Sequence, residues 1–250
     1  MKPTPGGTLK DKSDVVAPRR GFLKSVAAAG VALPLVPGRS EAADSAASQP
    51  VALPAPAAGY VCLSQDEAAF VEAIVNVMCP ADEYTPNGVD CGLAVYIDRQ
   101  LAGDFGRGAR RYMRGPWHAG KPEHGYQSPL PPEQFFKLGL AAADAACEVA
   151  HGKPFDQLEP AQADTFLKRL AVGEITDPSL NMASWFNEIV LPLFNQACFA
   201  DPIYGGNNDK IFWRLIGYPG LPATNTINMV QYRGKPFPGA KDPKSIADFS

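Results

Sequence analysis

The chain has 250 residues, of which 46% are hydrophobic and 20% charged, and a formal net charge of −3 from 23 Lys and Arg against 26 Asp and Glu. The first 42 residues hold seven of the basic and three of the acidic side chains, so the remainder carries 16 against 23, a net charge of −7. That balance argues against nucleic acid and anionic lipid surfaces as partners, because both are bound through basic patches, while about 208 residues suffice for one sizeable domain.

The N-terminal segment is distinct. Arg19 and Arg20 precede Phe22, Leu23 and Lys24, and no residue from Ser25 to Pro37 is charged. This run is too short for the ~20 apolar residues that span a bilayer as a helix, and Pro34 and Pro37 interrupt it. Arg39 closes it, and the stretch Ser40-Glu41-Ala42-Ala43 offers a small-residue cleavage site. A charged start, a short apolar run and a small-residue exit make a secretory signal. The paired arginines make it a twin-arginine signal, an address read by a receptor rather than an anchor. Pro18 stands where Ser or Thr is common. An ordinary signal or an uncleaved N-terminal anchor is the alternative. Residues 1–42 are therefore expected to be a twin-arginine signal peptide and the remainder to reach the periplasm already folded. Proteins exported in this way often carry a cofactor, so the chain is expected to bind one or to travel with a partner that does.

Residues 43–60, rich in Ala and Pro, read as a linker. Order is expected to begin at Ser64, where "SQDE" forms a capping box with Glu67. Phe70, Ile74, Val77 and Met78, with Val71 and Val75 beside them, then follow at helical spacing up to Pro80. Asp90 is placed to cap a second helix through "CGLAVYIDRQLAG". "DFGRGARRYMRG" reads as a short, weak helix, because Gly106 and Gly108 lower its propensity. "PWHAGKPEHGYQSPLP" is a long loop packed by Trp117 and Tyr126. Further helices are expected over Pro132–Ala150, with Pro at the first turn, over Pro160–Ala171, over Met182–Phe199 with a kink at Pro192, and in "DKIFWRLIG". "YGGNND" reads as a turn capping the last of these. The fold class is mainly α: a single irregular helical domain over residues 61–222, with long Pro/Gly-rich loops and an extended C-terminal tail over 223–250.

Few side chains point to chemistry. His118, His124 and His151 have no metal-ligand pattern around them, and no C-x-x-C pair suggests zinc, iron–sulfur or haem. The nucleophile elbow, the P-loop and the dinucleotide fingerprint are all missing. No catalytic, cofactor-binding or metal-binding residue is therefore assigned. Of Cys62, Cys79, Cys91, Cys147 and Cys198, the pair Cys79 and Cys91 flanks "PADEYTPNGVD" and is the best candidate for an internal bridge; buried thiols are the alternative. Two features suggest contact with a partner. Arg107, Arg110, Arg111 and Arg114 would share one face if helical. Trp117, Tyr126, Trp185, Tyr204, Trp213 and Tyr218 stand at loop edges, most of them expected in the core. Arg107, Arg110, Arg111, Arg114, Trp117 and Tyr126 are the candidate partner contacts.

Three blocks in order, "CGLAVYIDRQLAGDFGRGARRYMRGPW", "GYQSPLPPEQF" and "WFNEIVLPLFNQACFADPIYGGNNDKIFWRLIGYPG", resemble gluconate 2-dehydrogenase subunit 3 over about residues 62–222. The resemblance implies a non-catalytic small subunit. It implies as partners a large dehydrogenase subunit that carries FAD and a multi-haem cytochrome c subunit that supplies haem c and the membrane attachment. It further implies that the small subunit supports maturation of the flavoprotein and carries it across the inner membrane. Small subunits of related sorbitol, fructose or glucose dehydrogenases share the pattern, and a solitary periplasmic scaffold protein is the other reading.

Overall fold

The computed structural model describes residues 59–118, 121, 124, 128–221 and 225–249. Arg19, Arg20, Phe22, Leu23 and Lys24, expected to form an export signal, and Tyr126 lie outside the described residues. The chain builds α1 (Gln65–Met78), α2 (Leu93–Ala102), α3 (Pro132–His151), α4 (Pro160–Ala171), α5 (Met182–Trp185), α6 (Leu191–Phe199), α7 (Ile211–Ile216) and α8 (Asn225–Gln231). Among the described residues the only β pairing is an isolated bridge. The fold is mainly α, as the apolar periodicity implies.

Local chemistry accounts for most of the helix ends. Ser64 and Glu67 form a reciprocal capping box, with the Ser64 amide donating to Glu67 Oε2 at 2.8 Å and two otherwise unpaired donors of the first turn satisfied. Phe70, Val71, Ile74 and Val75 then form the buried stripe of α1. Pro132 and Pro160 open α3 and α4, where a missing N–H costs nothing. At α2 the cap differs from expectation. Gly92, in the left-handed region at φ 79°, precedes the helix, while the Asp90 carboxylate accepts from Asn87 Nδ2 at 2.9 Å.

Between Met182 and Phe199 the expected proline kink takes another form. Phe186–Val190 is a single π-turn joining α5 to α6. The Leu191 amide donates to the Phe186 carbonyl, and Pro192, which has no N–H, falls in the first turn of α6. The extra residue of the π-turn shifts the hydrogen-bond ladder before it reaches the proline.

The core is assembled from faces distant in sequence. Phe155, on a 3₁₀ turn (Phe155–Gln157) between α3 and α4, lies between Phe70 and Phe166, with ring centroids 4.8 Å and 5.7 Å away. Trp185 is fully buried and donates its indole N–H to the Phe136 carbonyl at 3.0 Å. It can do so because α3 has a glycine at that level. A Cβ on Gly139 would stand 2.2 Å from Trp185 Cδ1. We expect Gly139→Ala to destabilise the domain although Ala is the better helix former by ~1 kcal/mol. Overpacking costs ~1–3 kcal/mol, and displacing the indole loses a hydrogen bond worth ~1 kcal/mol. The expected net loss of about 2 kcal/mol lowers Tm by roughly 5 °C. A thermal melt at or above that of the parent would mean that the indole moves aside without cost.

Two further expectations are corrected. Residues 104–110 are successive turns, not a helix. Gly106 packs so tightly on α2 that a Cβ would overlap the Leu101 carbonyl, and Gly108 has φ +71°. The four arginines therefore do not share a helix face. The segment after Pro222 is not simply extended. It carries α8 and two 3₁₀ turns, Pro238–Lys241 and Ile246–Phe249, and its end returns to the domain. Lys244 pairs with Gly220, the Leu221 amide donates to the Lys244 carbonyl at 2.8 Å, and the buried Asp201 accepts from the Ile246 amide at 2.8 Å. Lys210 pairs with Asp248 nearby. "YGGNND" does cap α7, through the fully buried Asn207. Its Oδ1 accepts from the Phe212 amide at 3.0 Å and its Nδ2 donates to the Ala200 carbonyl at 3.1 Å.

Candidate partner-binding surface

The buried polar groups hold the chain together. Asp98, on α2, is 1% exposed. Its carboxylate accepts from the amides of Val61, Cys62 and Leu63 at 2.7, 2.8 and 2.9 Å. Lys137, on α3, donates to the Cys62 carbonyl at 2.8 Å and lies 3.5 Å from Glu67 and 3.3 Å from Glu133. The Tyr60 hydroxyl donates to Glu72 at 2.6 Å; burial, reinforced by that carboxylate, raises its pKa well above the ordinary phenol value. Residues 60–63 are thus clasped by α1, α2 and α3. Asp98 had a signal in the sequence, an acid on the same face as Ala94 and Leu101, but the three amides it serves lie more than 30 residues away.

All five cysteines are free thiols, so the expected Cys79–Cys91 bridge is not formed. Both sulfurs instead lie against the Pro86 carbonyl oxygen, at 3.8 Å and 3.5 Å. Burial pushes the Cys91 thiol up to about 11 and the Cys198 thiol up to about 12, which suppresses the nucleophilic thiolate at neutral pH. His151 packs edge-on against Phe166 at 6.3 Å, and His118 and His124 are exposed. Among the described residues no group of three His, Cys, Asp or Glu side chains is arranged to hold a metal ion, and no helix is long and apolar enough to cross a membrane.

The remaining features are on the surface. Arg107 is engaged by Asp104 and by the Ala102 carbonyl at 3.0 Å. Arg110 and Arg111 turn toward the end of α2 and, with Arg99, line a cleft of about 400 Å³ that also includes Gly103 and Phe105. Arg114 is exposed and Trp117 half-buried, and neither lines this cleft. The structure therefore brings together two of the four expected arginines and adds Arg99, which lies outside the predicted stripe.

A second cleft, of about 360 Å³, is lined by Phe199, Asp201, Trp213, Ile216, Tyr218 and Leu221. Trp213 is buried, donating to the Phe199 carbonyl at 2.8 Å. Leu215 and Ile216 are more than half exposed. Tyr204 and Tyr218 are also exposed rather than in the core. On α8, Ile227, Met229 and Val230 face solvent. Grouped apolar side chains of this kind mark contact surfaces in folded proteins.

These observations define an all-α domain with an apolar core, buried polar groups such as Asp98 and Asn207 committed to internal clasps, and two surface clefts, one cationic and one apolar. The family model for gluconate 2-dehydrogenase subunit 3 matches residues 65–220, and the chain belongs to that family. No curated protein and no solved structure matches it. The matched range runs from the first residue of α1 to just beyond α7 and takes in the arginine-lined cleft and all of the second cleft except Leu221. Membership makes this a subunit-3-type protein of a gluconate 2-dehydrogenase complex, which implies partner subunits.

Proposed function

We propose that this chain is the non-catalytic small subunit of a periplasmic, FAD-dependent gluconate dehydrogenase. It binds the flavoprotein large subunit, supports its maturation and carries it through the inner membrane by the twin-arginine route. In this reading FAD belongs to the large subunit. Haem c belongs to a multi-haem cytochrome subunit, which also attaches the complex to the membrane. The observation that carries the proposal is the apolar cleft around Trp213, within a domain of this family, with Ile216 among its lining residues and the exposed Leu215 next to Ile216 in the chain. Burying such side chains against a partner gains ~25 cal/mol per Å² before ordering costs. The Arg19–Arg20 leader supports the export role.

The test is co-purification of the flavoprotein subunit with the tagged full chain. The parent chain is expected to retain it. Leu215→Asp combined with Ile216→Asp, at exposed positions, is expected to weaken the complex at least tenfold, about 1.4 kcal/mol. A parent chain that never retains the flavoprotein would reject the subunit reading. A double variant that holds it as tightly as the parent would reject this cleft as the contact.

A further inference from the structure

We infer that the cleft lined by Arg99, Arg110 and Arg111 is a carboxylate-binding site that receives an acidic segment of the flavoprotein partner. The inference rests on the subunit reading above and names the chemistry the partner must present.

Five of the 16 basic side chains outside the leader lie between Arg99 and Arg114, and the only acid in that span is Asp104. Elsewhere, therefore, the chain is more acidic than its net −7. Asp104 lines the cleft but is engaged by Arg107. Among the described residues Arg99 and Arg110 are in no ion pair. Arg99 belongs to the last turn of α2, where a cation complements the negative end of the helix. Arg110 and Arg111 reach the same cleft because the glycine-bearing turn folds back instead of continuing as a helix. Holding the Arg99 and Arg110 guanidinium groups in one concavity is unfavourable by itself, and an anion between them reverses the sign.

The shape and surroundings favour a protein carboxylate. Guanidinium forks match carboxylate oxygens two at a time. Phe105, 37% exposed, adds an apolar wall for the stem of an Asp or Glu or for a neighbouring side chain. An anionic bilayer fits less well. The rest of the chain repels it, and a flat lipid surface does not enter a concave cleft.

The test uses the co-expressed full chain and flavoprotein subunit. Affinity is measured for the parent, for Arg99→Ser/Arg110→Ser/Arg111→Ser, and for Arg114→Ser as a control outside the cleft, at about 50 mM and about 500 mM salt, where screening lengths differ roughly threefold. The triple variant is expected to bind about 10–100-fold more weakly at low salt and to lose most of the salt dependence shown by the parent. The Lys triple variant should lie between them, since charge is kept and the fork is lost. Arg110→Glu alone repeats the measurement if the triple variant does not unfold cooperatively. A triple variant with the parent's affinity and salt dependence overturns the inference while leaving the subunit reading intact. Absence of binding by the parent removes both. Vesicles containing phosphatidylglycerol and inorganic phosphate are the remaining probes. Binding to either that depends on the three arginines, with partner affinity unchanged, also overturns it.

Discussion

Asp98→Ala is expected to lower the melting temperature by about 10 °C and to open the chain to proteases just upstream of α1. The carboxylate is 1% exposed and accepts three backbone amides. Hydrogen bonds to a charged group contribute ~1.5–3 kcal/mol each, and a buried donor left without a partner costs ~1–3 kcal/mol. Water reaches Val61, which is exposed, but not Leu63, which is fully buried, so only part of the loss is recovered. A net cost of about 3–5 kcal/mol results, at ~2–4 °C per kcal/mol for a domain of this size. Asp98→Asn retains one acceptor oxygen and should fall roughly midway. Calorimetry and limited proteolysis together decide the matter. A variant within about 2 °C of the parent, with unchanged cleavage near Tyr60, would show that Lys137 and Tyr60 hold the junction without the carboxylate.

The second large effect concerns export. With Arg19 and Arg20 both replaced by Lys, this chain and the flavoprotein subunit are expected to remain in the cytoplasm. Two lysines preserve the charge but not the planar fork of donors, so a receptor that reads geometry is defeated while electrostatic attraction survives. Cell fractionation with both subunits expressed measures the outcome. The flavoprotein should disappear from the periplasm together with the small subunit. Normal delivery of the flavoprotein in that strain would show that it has its own route and would confine this chain to assembly after transport.

The clefts and the clasp differ in how far they could be anticipated. The arginine concentration is plain in the sequence, but its geometry is not. A helical reading spreads Arg107, Arg110, Arg111 and Arg114 along one face. The turn imposed by Gly106 and Gly108 instead separates Arg107 from the others and brings Arg110 and Arg111 to Arg99. The exposure of Leu215 and Ile216 is likewise invisible in an apolar "IFWRLIG", because nothing in its pattern says which side chains α7 turns inward. Phe212 and Trp213 do so because Asn207 fixes the start of the helix and the Phe199 carbonyl receives the indole.

What the sequence determined by itself is what depends on neighbours within a few residues. The capping box at Ser64, the prolines that open α3 and α4, the buried stripe of α1 and the mainly α class all follow from hydrogen-bonding capacity and apolar spacing along one short stretch. The family, too, was legible in the order of three blocks. What only the tertiary structure decided depends on groups far apart in the chain: Asp98 against residues 61–63, Gly139 against Trp185, Arg99 against Arg110, and the tail end against Asp201. A buried carboxylate, a missing Cβ or a cluster of like charges is unfavourable or neutral when read alone. Each acquires its meaning from the partner that packing brings within a few ångströms, and that partner is set by the fold of the whole domain.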